Sequence, residues 1–451
     1  SAEASDMSSW LLMGLPGLAY ATGFSQAGWT AIGLILGTYL NWKIVAKRLR
    51  HYTEVADNAI TVPDFFSNRF KDDKKILSSI SAIMILIFFT VYTASGFAAC
   101  GTLFNSVFGL NYQKSMIVCA IVIVLYTSMG GFLAASTTDL IQGLLMSFAI
   151  VIVLIVGVVN AGGVANVIAH GQAMEGFFDV MKYHDPATGG AVSQGVIPIL
   201  SGLAWGLGYF GMPHIIIRFM SIKSQKDLKK SAKIGITWTL LIVFFATLIG
   251  VIGRLFLGFD ESINENSLVF IQIVRKIFPG VISGILLSAV LAASMSTADS
   301  QLLAASSAFS SDVYKPVIRK GKASDKEMMW TGRIVVLGIS VAALIIASNP
   351  NAGSIMALVS NAWGIFGAAF GPAIMLSLFW KRFNFKGAVA GIITGAAVDI
   401  LWYAFLTSTG IYELLPGFVL GLIAAVVVTL CTNEPSKEVY ELFDKAEKFD
   451  E

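Results

Sequence analysis

Two adjacent hydroxyls, Ser296 and Thr297, lie in the run Ala292-Ala293-Ser294-Met295-Ser296-Thr297-Ala298-Asp299-Ser300. Hard cations take oxygen ligands, and two hydroxyls joined by the free carbonyls of a broken helix can coordinate sodium. A single hydroxyl in a helix also bonds back to a carbonyl one turn earlier, so each alone has a structural reading too. A second polar run is Ala4-Ser5-Asp6-Met7-Ser8-Ser9-Trp10, followed by Gly14, Pro16 and Gly17. Within a membrane its carboxylate costs at least about 2.5 kcal/mol at mid-depth. Asp6 therefore either faces a cavity, a cation or a partner, or caps a helix near the interface. The third run, Trp205-Gly206-Leu207-Gly208-Tyr209-Phe210-Gly211-Met212-Pro213-His214, has three glycines and a proline that weaken a helix. Trp205, Tyr209 and Pro213 are spaced to share a helix face, which suits a binding site or aromatic packing around a kink.

The elements that position these runs follow from composition. Of 451 residues, 56% are hydrophobic and only 13% charged, about half the charge of a soluble domain. So few charges cannot cover several soluble cores, whereas lipid-facing surface needs none. The 43 glycines and 31 phenylalanines fit close helix packing in a bilayer. A formal net charge of +3 gives no sign of nucleic-acid binding. Twelve apolar segments are expected, at 5–23, 27–45, 76–106, 114–135, 138–161, 194–218, 233–258, 280–311, 327–348, 353–380, 386–408 and 414–431. The gaps at 135–138 and 348–353 predict tight hairpins. Of 31 basic residues, 26 fall after even-numbered segments or in the tail, which places those loops and the C-terminus in the cytoplasm. No HExxH, P-loop, GxSxG or redox CxxC is present, so neither an enzyme nor an ATP-driven pump has visible machinery.

The remaining polar residues read as structural. Asp139, after Thr137-Thr138, reads as the N-terminal cap of segment five. Asp399 in segment eleven reads as a hydrogen-bonded acid or a helix-interface contact, and Asp299 as a cap or a residue that tunes the cavity beside it. His214 reads as structural, and Cys100, Cys119 and Cys431 form no disulfide or metal pattern. From Ser436, Val439, Leu442, Phe443, Ala446 and Phe449 follow helical spacing opposite acids that include Asp450, giving a short amphipathic cap. The chain opens at Ser1 without an initiator Met or a leader-like stretch, and a missing preceding helix is expected.

Segments one and six both look broken and stand five spans apart. Interrupted helices at matching places in two halves point to a transporter site at mid-membrane. Two halves of five spans have opposite topology, because five is odd.

At these residues the chain resembles the sodium/solute symporter family. ASDMSSWLLMGLPG is similar to its first core helix, and most resembles the sodium/proline branch. TVPDFFSNRF, ending at Phe70, TTDLIQG at 137–143, WGLGYFGMPHIIIRFM at 205–220 and LLSAVLAASMSTADSQLL at 286–303 are similar as well. The resemblance implies an all-α polytopic transporter with a LeuT-like five-plus-five inverted repeat and extra C-terminal helices. Its parts would be 1–161, an extracellular loop 162–193, 194–380, two peripheral spans in 381–431 and the tail 432–451. It assigns sodium to carbonyls of Ala4, Met7 and Ala293 and to the hydroxyls of Ser296 and Thr297, with Asp6 supporting. It implies substrate contacts at Ser8, Ser9, Trp10, Tyr92, Trp205, Tyr209 and Pro213. It also implies one further helix ahead of Ser1. Glu3 and Ser9 stand where the branch often has Gly, which bears on ion affinity and substrate fit. The function implied is sodium-coupled uptake of L-proline across a bacterial plasma membrane. The alternatives are a sodium-coupled symporter for another amino acid, a sugar or a vitamin, or a channel. A membrane sensor would usually carry a large cytoplasmic domain, and the tail is short.

Overall fold

The computed structural model describes residues 1–265, 267–349 and 353–448. The first segment is three helices: α1 (Ala2–Asp6), α2 (Ser9–Leu12) and α3 (Gly14–Thr22). Then come α4 (Phe24–Leu40), a π-helical turn (Asn41–Ala46), α5 (Lys47–Val55) and α6 (Val62–Phe70). Two long helices, α7 (Ile76–Phe108) and α8 (Tyr112–Asn160), precede α9 (Val164–Ala173) and a small antiparallel hairpin of β1 (Lys182–His184) and β2 (Ala191–Ser193). The sixth segment is α10 (Val196–Ala204), a 3-10 stretch (Trp205–Phe210) and α11 (Pro213–Met220). After α12 (Gln225–Leu257), short α13 (Glu261–Glu265) and α14 (Val269–Ile277) lead to α15 (Gly280–Ser307), which continues as a π helix to Ile318. The chain ends with α16 (Asp325–Ser348), α17 (Ile355–Phe379), α18 (Phe385–Phe405), α19 (Leu414–Cys431) and α20 (Lys437–Glu447).

Local chemistry sets many of these starts. Thr61, Ser224, Ser324 and Asn384 each accept a backbone N–H at a helix N-terminus, and Ser324 and Glu327 form a capping box. Among the described residues, eight helices are long and apolar enough to span a membrane, and the bent α10–α11 segment makes nine. Twelve segments were expected, and the difference has two sources. Segments one and two are divided into pieces too short to count alone. Segments four and five run together as the 49-residue α8. As one straight rod α8 would extend ~74 Å, far beyond a ~30 Å hydrocarbon layer. It folds instead at Gly131, whose φ of 62° suits glycine. The hairpin therefore sits at Gly131 rather than at 135–138. The boundaries move elsewhere too: segment seven starts at Gln225, and segment eight continues to Ile318.

The loops sort into two ends. At one end Arg50 donates to the Ile222 carbonyl, Thr61 to Asp312, and Arg48 and Lys381 pair with Glu447 and Asp444 of α20. These are the basic loops together with the tail. At the other end Trp29 donates to the Val180 carbonyl, the Asp260 N–H to Tyr20 and the Tyr412 N–H to Ser201. The tail helix packs Val439, Leu442, Phe443 and Ala446 inward as its pattern predicts, with Phe443 over the Arg48 and Arg69 guanidinium groups. Phe449 and Asp450 lie outside the described residues.

At its centre, the 3-10 stretch and α10 cross α4 through glycines. A methyl group on Gly206 would stand 2.2 Å from the Gly33 carbonyl oxygen, and one on Gly37 2.3 Å from that of Gly206. Small residues four apart on both partners let the backbones touch. Gly206→Ala forces them apart, at a cost of about 1–3 kcal/mol. We expect it to lower the melting temperature in detergent, measured by fluorescence-detected size exclusion. Gly284→Ala, which points into open space, should leave that temperature unchanged.

Candidate functional site

The interruption of the first segment frees a carbonyl. In an unbroken helix the Ser8 N–H would bond to the Ala4 carbonyl. Here α1 stops at Asp6 and the Ser8 N–H turns to the Asp6 carbonyl at 2.8 Å. The Ala4 carbonyl is met instead by Ser296 Oγ of α15 at 2.9 Å, which also lies 3.2 Å from the Ala293 carbonyl. Thr297 is buried beside it, and its hydroxyl has no hydrogen-bond partner among the described residues. The structure thus brings together Ala4, Ala293 and Ser296, three of the five expected sodium donors, and Thr297 follows Ser296 on α15. Met7, another of the five, directly follows the last residue of α1.

Asp6 is not an N-terminal cap. It ends α1, is buried, and accepts the Tyr209 hydroxyl at 2.6 Å. This bond joins the two broken segments. Asp6 also lines a cavity of about 20 Å³, together with Ser8, Trp10, Tyr92, Trp205 and Tyr209. That is room for about one water. Above it, Trp10 and Trp205 stack with centroids 5.2 Å apart, and Tyr412 stacks on Trp205 at 5.2 Å. Ser9 and Pro213 are not in this lining. Ser9 begins α2, while Pro213 begins α11 and lines a cavity of about 490 Å³ toward the basic end.

Three residues of the lining were not anticipated: Leu34, Val359 and Trp363. Trp363 of α17 meets Tyr209 edge-on at 5.1 Å and donates Nε1–H to the Trp205 carbonyl at 2.8 Å. Asn41, in the π-helical turn, donates to the Tyr209 carbonyl at 3.0 Å. Carbonyls at the 3-10 stretch are thus satisfied by side chains from elsewhere. A methyl on Gly208 would fall 2.0 Å from the Trp363 indole, so that glycine is a close-approach position.

Below the candidate sodium position lies a buried charge network. Asp139 is inside α8 and fully buried, so it is not the start of a helix. Arg218 of α11 pairs with it at 2.8 Å and also donates to Ser300 at 2.7 Å. Asp299 accepts the Tyr126 hydroxyl at 2.9 Å and the Ser300 hydroxyl at 3.1 Å. Glu3 accepts from Trp42 Nε1–H and the Thr239 hydroxyl at 2.7 and 2.9 Å. His214 packs against Phe89 and Tyr92. Cys100, Cys119 and Cys431 are free thiols.

Asp139→Asn leaves the Arg218 guanidinium buried without its counter-charge, which costs about 3–5 kcal/mol. A marked fall in melting temperature is expected, with partial recovery in the Asp139→Asn, Arg218→Met double variant. Equal destabilisation in both would show that the pair is not coupled.

The profile of the sodium:solute symporter family matches residues 1–395. The osmoregulated proline transporter OpuE of Bacillus subtilis (strain 168) is 47% identical, over 99% of this chain and 89% of its own length. The high-affinity proline transporter PutP of the same strain is 44% identical, over 98% and 92%. The sodium/proline symporter of Escherichia coli (strain K12) is 42% identical, over 99% and 88%. A sodium-coupled sialic acid symporter, in its substrate-bound outward-open state, superposes with a TM-score of 0.77 at 19% identity, over 97% of this chain and 89% of that one. Mhp1, a nucleobase-cation-symport-1 family transporter, gives 0.54 at 13% identity, over 98% and 95%.

Proposed function

The chain belongs to the sodium:solute symporter family, and we propose that it couples uptake of L-proline to sodium entry by alternating access between two inverted sets of five spans. The observation that carries this reading is the contact between the freed Ala4 carbonyl and Ser296, directly beside the Asp6–Tyr209 bond. Sodium takes Ala4, Met7, Ala293, Ser296 and Thr297 as oxygen donors. Its charge steadies the interrupted first segment, whose other face is the substrate cavity. Cation and solute therefore order the same short stretch of chain, and each raises affinity for the other. As the cavity widens for the solute, Trp10, Trp205 and Tyr209 pack the pyrrolidine ring, while main-chain donors of the broken segment hold the carboxylate. The names of the relatives support proline as the solute.

The basic loops and the tail face the cytoplasm in this reading. A cavity of about 380 Å³ at that end reaches Ala4 and Arg218, which gives the ion an exit. A potential of ~100 mV contributes about 2.3 kcal/mol per charge, and a tenfold sodium gradient about 1.4 kcal/mol. Together they support roughly 500-fold accumulation for one sodium per proline.

Counterflow of labelled proline in proteoliposomes tests the solute and the coupling together. Exchange that requires sodium is expected; its absence would turn attention to another small solute. Ser296→Ala with Thr297→Ala is expected to raise the sodium concentration for half-maximal uptake at least ~10-fold, a loss of about 1.4 kcal/mol. Unchanged sodium dependence would remove these two hydroxyls from the ion site.

A further inference from the structure

Asp399 lies on α18, outside both sets of five spans, and is fully buried. Neither of its carboxyl oxygens has a hydrogen-bond partner among the described residues. It is at a helix interface, as its position in segment eleven suggested, but it is not hydrogen-bonded. On α17 a methyl built at Gly364 would stand 2.9 Å from Oδ2, and on α19 one at Gly417 would stand 3.2 Å from the Asp399 Cβ. These close contacts leave no space there for a hydrated cation. The titratable groups facing it are Glu413, buried at the start of α19, and Tyr412 in the loop before it. Residues 355–379 of α17 include no charged or titratable side chain. Along α18 itself the nearest is Tyr403, which is exposed.

Among the described residues, two acids therefore share an apolar three-helix interface with no basic group. An ionised, unpaired carboxylate there costs several kcal/mol. A bound proton removes the charge and needs no volume. Tyr412 carries the consequence to the substrate cavity. Its hydroxyl donates to the Ser360 carbonyl of α17 at 2.7 Å, and its ring is the outer member of the Tyr412–Trp205–Trp10 stack.

We propose that Asp399 is a proton-binding site, and that its proton keeps Tyr412 seated on the stack above the substrate cavity. When the carboxyl group releases that proton to water on the side away from the basic loops, a negative charge is left facing Glu413. Their repulsion loosens the α18–α19 interface and the loop that holds Tyr412. The inference rests on the transport reading and adds regulation by external pH to it.

Proteoliposome uptake at varied external pH, with wild type, Asp399→Asn and Glu413→Gln, tests it. In wild type the KM for proline is expected to rise with pH, by up to ~10-fold per pH unit for one linked proton. In Asp399→Asn it should change less than about 2-fold over the same range. Glu413→Gln, which removes the repulsion, should flatten the profile as Asp399→Asn does. An Asp399→Asn variant that follows the wild-type profile overturns the proposal. So does one whose sodium requirement shifts instead, or a flat profile in an active wild type. Infrared spectroscopy decides independently of transport. The carbonyl band of a buried carboxylic acid that wild type shows and Asp399→Asn lacks should disappear as pH is raised. Its absence at neutral pH overturns the proposal even if proline uptake proves sodium-dependent.

Discussion

The molecule depends on one constraint: a backbone carbonyl released from a helix inside a membrane must find another partner. Two segments break their helices, and the structure answers each break with side chains from distant parts of the chain. Ser296 takes the Ala4 carbonyl, Trp363 the Trp205 carbonyl and Asn41 the Tyr209 carbonyl. Each substitute bond ties two elements that an unbroken helix would have left independent. The partners come from α15, α17 and the turn after α4, and α17 also lines the cavity at the site. The cost of breaking a helix is thus offset by contacts that also build the site.

Charge is handled in the same economical way. Most basic residues stay in loops at one end, and Arg218 enters the interior only with Asp139 and Ser300 as partners. Glu3 has two donors of its own. Asp6, facing Tyr209 at the join of the two broken segments, therefore has a neutral hydroxyl as its hydrogen-bond partner. That leaves its charge available to a cation.

Much of this was legible from residue order. Polar runs in apolar segments marked both breaks, and adjacent hydroxyls marked Ser296 and Thr297, because such residues are costly in lipid unless used. The hairpin of α8 was placed several residues late. Hydropathy hardly changes across Gly131, and only the backbone angle reveals the turn. Asp139 looked like a cap because hydroxyls precede it, and the arginine that neutralises it lies 79 residues later. Trp363 was missed because its role comes from packing on Gly208, which no local spacing encodes.

The π-helical turn at Asn41–Ala46 has a further implication. A π turn holds one residue more than an α turn, so it shifts the phase of everything on one side of it. Here the shift lets Asn41 reach the Tyr209 carbonyl while its neighbour Trp42 reaches Glu3. Removing one residue from this stretch would restore regular α geometry and rotate the flanking helices about 100° relative to one another. The glycine face of α4 and the aromatic contacts of α5 could then not both be kept. Chain length between Gly37 and Tyr52 is therefore as tightly specified as residue identity, and descendants of this chain should accept substitutions there far more readily than insertions or deletions.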